Sequence, residues 1–161
     1  MNTLYEQAIS GLMEDGYAVV ENFLSEGLTG GLRGILKSQY SQGEFKKAGI
    51  GKLTGFQENP EIRSDYIHWL GDQSKQPVEQ DFLNLVNDFV EYLNETCFTG
   101  IKGFEFHYAL YPKGSFYKRH RDQFSNDDSR KYSLILNSTV MSRCYGRNWA
   151  LVLEGYSRTK S

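Results

Sequence analysis

Cysteine, proline and long apolar runs are all scarce in this chain of 161 residues. Its two cysteines, Cys97 and Cys144, are too few for a disulfide framework or a cysteine-rich zinc site. No apolar run approaches the ~20 residues of a membrane-spanning helix, and the N-terminus lacks the pattern of a signal peptide. We therefore expect a cytoplasmic protein without a Cys97–Cys144 disulfide, in which Cys97 is a small buried side chain.

A strong excess of charge of either sign is also missing. Lys and Arg number 18 and Asp and Glu 20, so the formal net charge is −2. This balance argues against general binding to nucleic acids or to anionic membranes, which needs a basic surface. The hydrophobic fraction of 39% is ordinary for one soluble globular domain, and 11 Tyr with 10 Phe favour strands.

The charge is unevenly distributed along the chain. Residues 1–137 carry 14 basic and 19 acidic side chains, whereas residues 138–161 carry four basic side chains and one acidic side chain. The last 24 residues also contain no His, Asp, Phe or Pro. Either residues 138–161 are a basic tail that follows an acidic domain, or they did not originate as part of the same protein sequence as residues 1–137.

Hydrophobic periodicity predicts helices before most of the strands. Apolar residues recur at helical spacing in three segments, and β-branched, aromatic or alternating residues mark four others. The predicted helices cover 3–15, 25–36 and 79–96, and the predicted strands cover 17–23, 65–70, 104–111 and 132–136. This order indicates an α+β protein or a β-barrel supported by helices.

A candidate metal-binding pair stands in the last third of the chain, at His120 and Asp122. On a strand, residues two apart face the same side, so this imidazole and carboxylate could bind one metal ion. Two histidines and one carboxylate suit non-haem Fe(II) and leave positions open. The pair alone is a weak signal, because His120 could equally be a surface histidine between Arg119 and Arg121.

The surroundings of this pair resemble the prolyl-hydroxylase-like branch of the Fe(II)/2-oxoglutarate-dependent dioxygenases. The motif that carries the resemblance reads Tyr111-Pro112-x-Gly114, then Tyr117-x-x-His120-x-Asp122. Segments 16–24, 62–69 and 131–137 also resemble strands and motifs of that family, so the likeness covers residues 1–137. It implies a double-stranded β-helix, or jelly-roll barrel, backed by N-terminal helices.

The resemblance also implies a reaction and a set of site residues. The reaction is the hydroxylation of a prolyl or related residue of a protein or peptide, with 2-oxoglutarate as co-substrate and ascorbate as a possible additional cofactor. Fe(II) would bind His120 and Asp122, and 2-oxoglutarate would contact Tyr111. The positions that match the family's substrate entrance are Arg63, Asp65, Trp69 and Tyr117.

Structural explanations compete with several of these roles. Tyr111 could pack at a strand end, Arg63 and Asp65 could form a pair that holds a loop, and Trp69 could lie in the core. His107 shares a predicted strand face with Tyr111 and could line the same pocket. His68 is expected to be a partly buried or surface histidine.

The family pattern breaks after residue 137. The family needs a second histidine after the metal pair and then an Arg or Lys for the far carboxylate of 2-oxoglutarate, yet no histidine follows Asp122. The family's Asp-Gly-Gly segment is replaced by Gly-Arg-Asn-Trp at 146–149, and only 39 residues follow Asp122. We therefore expect an incomplete barrel, impaired activity and an out-of-frame origin for 138–161. The alternatives are a non-catalytic binding module, whose basic tail binds an acidic partner, and a decayed gene product.

Overall fold

The computed structural model describes residues 2–49, 59, 61–71, 74–118, 131–137 and 150–155, and the structural statements below concern these residues. Three helices and six strands occur in this part of the chain. In chain order they are α1 (Asn2–Asp15), β1 (Tyr17–Glu21), α2 (Glu26–Ser41), β2 (Lys46–Lys47), β3 (Tyr66–Trp69), α3 (Pro77–Cys97), β4 (His107–Leu110), β5 (Tyr132–Asn137) and β6 (Ala150–Gly155). The three predicted helices are confirmed.

The helix ends follow from local chemistry. α1 stops where Gly16 adopts a left-handed φ of 77°, which costs glycine little. The hydroxyl of Ser25 caps α2 by accepting a hydrogen bond from the backbone N–H of Leu28 at 3.2 Å. Pro77 occupies the first turn of α3, where its missing N–H costs nothing. None of the helices described is long and apolar enough to cross a membrane.

The apolar stripe of α3 forms the centre of the core, as its periodicity predicts. Its four deepest side chains pack with α1 and with the segment between β1 and α2. The Phe89 ring, only 1% exposed, lies 4.7 Å from the Tyr5 ring and 5.3 Å from the Phe23 ring, measured between centroids. The buried stripe consists of Phe82, Val86, Phe89 and Leu93.

The strands form two antiparallel sheets. One has the order β1-β6-β5 and the other the order β2-β3-β4. The first carries Ala18 and Val20 into the core, since β1 alternates between exposed and buried positions. The α+β class is therefore confirmed, while the strands described here make two open sheets and do not by themselves close a jelly-roll barrel.

Strand β6 was not predicted from the sequence. It lies within the segment of unusual composition and pairs with β1 and β5 over its whole length, for example Val19 with Val152 and Ile135 with Val152. Part of this segment therefore takes part in a sheet. The out-of-frame origin of 138–161 stays a hypothesis.

Two expectations and one of the competing explanations need correction. Cys97 is exposed because α3 extends beyond the core before it ends, and the following Phe98 is 88% exposed. Trp69 does not lie in the core, since 52% of its surface is exposed. Strand β4 is shorter than the predicted 104–111, although the alternation of buried and exposed side chains continues through Phe104 and Phe106.

A buried carboxylate joins α3 to the sheet β2-β3-β4. Glu79, in the first turn of α3, is buried, and its two oxygens accept hydrogen bonds from the hydroxyls of Ser74 and Tyr108. The Tyr108 contact measures 2.8 Å. The positive end of the helix dipole also favours a carboxylate at this position. Burial, together with the hydrogen bond and charge of Glu79, raises the pKa of Tyr108.

Replacing Tyr108 by phenylalanine should weaken the alkaline dependence of stability. A tyrosine in the unfolded chain ionises near pH ~10, whereas folded Tyr108 holds its proton to higher pH. Its contribution to stability is therefore complete below about pH 10 and falls by up to about 1.4 kcal/mol per pH unit above it. Urea unfolding at several pH values above 10 measures this slope. Equal slopes for wild type and Tyr108→Phe would contradict the assignment.

Candidate functional site

Strands β3 and β4 give their sheet two different faces. Tyr108 and Phe106 point toward α3, where Tyr108 binds Glu79 and the Phe106 ring lies 5.0 Å from the Phe82 ring. Residues on the alternate positions share the opposite face, because Ile67 pairs with Ala109 and Trp69 with His107. We call this the candidate face. It consists of Asp65, Ile67, Trp69, His107, Ala109 and Tyr111, with Arg63 and Tyr117 beside Asp65.

Arg63 and Asp65 form a two-pronged ion pair at one end of the candidate face. Nε of Arg63 donates to Oδ1 of Asp65 at 2.8 Å, and Nη2 donates to Oδ2 at 2.6 Å. The remaining guanidinium nitrogen of Arg63, Nη1, donates to the carbonyl of Gly49 at 3.3 Å. The Asp65 side chain is 0% exposed and that of Arg63 is 11% exposed. Burial lowers the pKa of Arg63, but the hydrogen bonds and charge of Asp65 outweigh it, so that pKa is raised.

Tyr117 covers the guanidinium of Arg63. The Cζ atom of Arg63 lies 4.0 Å from the centroid of the Tyr117 ring, within the range of a cation–π contact. The backbones of the two residues form an antiparallel bridge, and neighbouring hydrogen bonds extend it, from Ser64 N to Phe116 O and from Lys118 N to Ile62 O, each at 2.9 Å. The pairing of these two extended segments therefore brings Arg63 and Tyr117 together.

Tyr111 stands opposite Asp65, one residue beyond the paired positions Tyr66 and Leu110. About half of its surface is exposed, at 51%. Burial and then the negative charge of Asp65 raise the pKa of Tyr111, and Arg63 opposes this effect. Tyr111 is thus at a strand end, as its structural explanation required, and also open to solvent on the candidate face.

The other end of the candidate face is aromatic. Trp69 and His107 are paired directly across β3 and β4, and their rings meet edge to face with centroids 5.0 Å apart. Both side chains are exposed, so His107 does share the face of Tyr111. His68 lies on the opposite side of β3, where it stacks on Phe45 and its Nδ1 lies 3.0 Å from the carbonyl oxygen of Glu44.

Sequence reasoning therefore identified five side chains that the fold brings to one face: Arg63, Asp65, Trp69, Tyr111 and Tyr117. The proposed metal ligands His120 and Asp122 lie outside the described residues. Within the described ranges, no group of three or more His, Cys, Asp or Glu side chains could hold a metal ion. The chemistry available on the candidate face is thus that of a hydroxyl donor, a paired guanidinium and an aromatic surface.

Lys46 is a residue of the candidate face that sequence reasoning missed. It pairs with Ile67 across β2 and β3, so it shares the face of Ile67 and Ala109, and it is exposed. Strand β2 contains only two residues, so no alternation of hydrophobicity marks it in the sequence. Only the register of the sheet shows that the ammonium group of Lys46 belongs to the candidate face.

Comparisons with solved structures identify the fold. A prolyl-4-hydroxylase from Pseudomonas putida matches with a TM-score of 0.76 and 24% sequence identity, over 95% of this chain and 87% of that one. A prolyl hydroxylase in complex with a hypoxia inducible factor oxygen degradation domain peptide fragment, from Trichoplax adhaerens, matches with a TM-score of 0.70 and 20% identity, over 96% and 89%. No protein-family model matches the sequence. The chain therefore has a fold like that of the prolyl hydroxylases.

Proposed function

We propose that the chain is an Fe(II)- and 2-oxoglutarate-dependent dioxygenase by descent, acting on a prolyl or related residue of a protein. The observation that carries this proposal is the meeting of Tyr111, Arg63, Asp65 and Tyr117 at one end of an open sheet face, in a fold like that of the prolyl hydroxylases. All four residues were selected from sequence motifs, and they converge although up to 54 positions separate them in the chain.

The proposed roles follow from the chemistry of each side chain. His120 and Asp122 are the metal ligands, and the hydroxyl of Tyr111, a residue that is half-exposed, is a suitable donor for a carboxylate of 2-oxoglutarate. When bound, iron and 2-oxoglutarate with dioxygen supply the oxidising chemistry that no side chain provides. The protein contributes ligation, orientation and a surface for the substrate.

A peptide is the proposed substrate class. The aromatic pair Trp69 and His107 offers an exposed apolar surface at one end of the candidate face, and Tyr117 with Arg63 borders the other. Aromatic side chains bind extended and proline-containing segments well because their flat faces bury large areas. The similar protein from Trichoplax adhaerens is in complex with a peptide fragment, which supports this choice.

Impaired activity is part of the proposal. No histidine follows Asp122, so the third ligand that the family uses is missing from its usual place. The loss of a direct ligand should weaken iron binding by more than the 10–100-fold that is typical when an outer partner of a metal ligand is lost. We therefore expect iron binding that is weak but measurable, and little or no turnover.

Anaerobic titration with Fe(II) and 2-oxoglutarate tests the proposal. The visible charge-transfer absorption of the iron–2-oxoglutarate chelate should appear at high iron concentration, and His120→Ala should abolish it. His68→Ala is the matched control, because His68 lies on the face turned away from the site and should leave the absorption intact.

Two results would contradict the proposal. Absence of the absorption in the wild-type protein at all concentrations would overturn the assignment to this class. Rapid formation of succinate and hydroxylated proline-containing peptide, at the ~1 s⁻¹ or more of ordinary enzymes, would overturn the impairment. Mass spectrometry of the peptide and an assay for succinate measure the two products separately.

A further inference from the structure

We propose that Lys46 selects peptides that carry an acidic residue near the target proline, because its ammonium group pairs with the carboxylate of that Asp or Glu. Lys46 is then a specificity-determining residue of the candidate face. The inference rests on the proposed function, in which a peptide lies across this face and its target residue lies at the Tyr111 end.

Lys46 lies in the middle row of the candidate face. It pairs with Ile67 across β2 and β3, and Ile67 pairs with Ala109 across β3 and β4. In the same register, the aromatic pair lies two residues away toward one end of the face, and Tyr111 lies two residues away toward the other. A peptide that extends from the aromatic end to Tyr111 therefore passes within reach of the Lys46 side chain.

The charge of Lys46 is open to a ligand, whereas that of Arg63 is not. The guanidinium of Arg63 is 11% exposed, and both oxygens of Asp65 bind it. Lys46 is exposed, and its ammonium group has no ion pair or hydrogen bond with any residue that the structure describes. Its nearest acidic neighbour in the chain, Glu44, is exposed and does not pair with it. An ammonium group in this position attracts a carboxylate as a point charge.

The distance between Lys46 and Tyr111 favours a peptide as the source of that carboxylate. Two strand spacings of ~4.8 Å and two residues of ~3.4 Å separate their Cα atoms, which makes about 12 Å. An extended peptide covers this distance with three or four residues at ~3.3 Å each. A 2-oxoglutarate molecule held by Tyr111 would have to reach across β3 to meet the ammonium group.

The next residue, Lys47, provides a matched control. It pairs with Tyr66, whose ring lies 6.2 Å from that of Tyr40 on α2, so this position belongs to the helix side of the sheet. Successive residues of a strand point to opposite faces, and both lysines are exposed. Lys47 thus has the same charge and exposure as Lys46, but it lies on the face turned away from the proposed peptide.

A set of fluorescent peptides tests the inference. Each has nine residues, a central proline and a background of alanine and serine, with a single glutamate placed at each other position in turn. Fluorescence anisotropy measures their binding to the full chain with Fe(II) and 2-oxoglutarate under anaerobic conditions. We expect glutamate three or four residues from the proline, on one side only, to lower the Kd about threefold to fivefold relative to glutamine, as for an exposed ion pair. A similar gain at every position would overturn the inference.

Variants of the two lysines show whether the preference for glutamate depends on the candidate face. Lys46→Met should abolish it, Lys46→Arg should keep it, and Lys47→Met should leave it unchanged. Lys46→Glu should reverse it, so that the peptide with lysine at the same position binds more tightly. Equal effects of Lys46→Met and Lys47→Met would overturn the inference, because the preference would then come from the charge of the whole protein.

Calorimetric titration with 2-oxoglutarate distinguishes the two sources of a carboxylate. We expect wild type and Lys46→Met to bind 2-oxoglutarate equally. Weaker co-substrate binding by Lys46→Met, with the preference for glutamate intact, would assign the ammonium group to the co-substrate and overturn the inference. Absence of binding by every peptide would also overturn it, even where the iron–2-oxoglutarate absorption appears. A preference for glutamate that depends on Lys46 in a protein without that absorption would support the inference and contradict the proposed function alone.

Discussion

Replacing Phe89 by alanine should lower the free energy of unfolding by about 3–5 kcal/mol, the usual cost of deleting a buried aromatic ring. Phe89 is 1% exposed and lies between helix α1 and the segment that precedes α2, where it contacts the rings of Tyr5 and Phe23. Both rings would lose their packing partner, and the cavity lies at the centre of the core, where the helices are least able to close it. Urea unfolding followed by circular dichroism measures the change.

Phe98→Ala is the matched control for this variant. The same side chain is removed only nine residues later in the chain, but Phe98 is 88% exposed. Its φ of 54° is equally unfavourable for alanine, so the backbone cost does not change. We expect a change within about 0.5 kcal/mol. Similar losses for Phe89→Ala and Phe98→Ala would contradict the described core.

Replacing Asp65 by alanine should also lower stability by about 3–5 kcal/mol, because it leaves a nearly buried guanidinium without its counter-ion. Arg63 would keep its contact with the Gly49 carbonyl and with the Tyr117 ring, but it would lose both charge-assisted hydrogen bonds. The measurement is again chemical unfolding, with the wild-type protein in the same buffer.

Asp81→Ala tests whether the loss of stability in Asp65→Ala comes from the burial of the ion pair and not from the change in charge alone. Asp81 is exposed on α3, so its removal changes the net charge by the same amount without creating an unpaired buried cation. We expect a change of at most about 0.5 kcal/mol. If Asp65→Ala were as mild as Asp81→Ala, the ion pair would not be a stabilising part of the candidate face.

Local sequence signals account for the helices. Helix α3 was predicted because a stripe of apolar residues recurs at 3.6-residue spacing, and α2 because Ser25 can cap it. The strands were less accessible. β2 has only two residues, too few to show an alternation, and β6 was missed although its sequence begins with the short apolar run at 150–153, because the composition of its segment differs from that of the rest. Their existence depends on partners far away in the chain.

For the candidate site, the motif selected the residues but not their roles. Arg63, Asp65, Tyr111 and Tyr117 do lie together on one face. That Asp65 is completely buried beside Arg63, and therefore acts through Arg63, follows only from the register of β3 with β4 and from the bridge to Tyr117. Lys46 was missed for the same reason, because cross-strand neighbours are not neighbours in sequence. The prediction that Cys97 is buried was wrong, because the apolar stripe of α3 does not reveal where the core ends.

Strand β3 is hydrogen-bonded to β2 on one side and to β4 on the other, and its two faces serve different purposes. Its neighbour β4 carries Tyr108, whose hydroxyl donates to Glu79 of α3, so a hydrogen bond connects the sheet below the candidate face to the helical core. Amide protons of Tyr66 and Ile67 can exchange with solvent only when these ladders open. The candidate face and the start of α3 should therefore open as one cooperative unit. A ligand that binds to this face should accordingly rotate side chains without moving the backbone of the sheet.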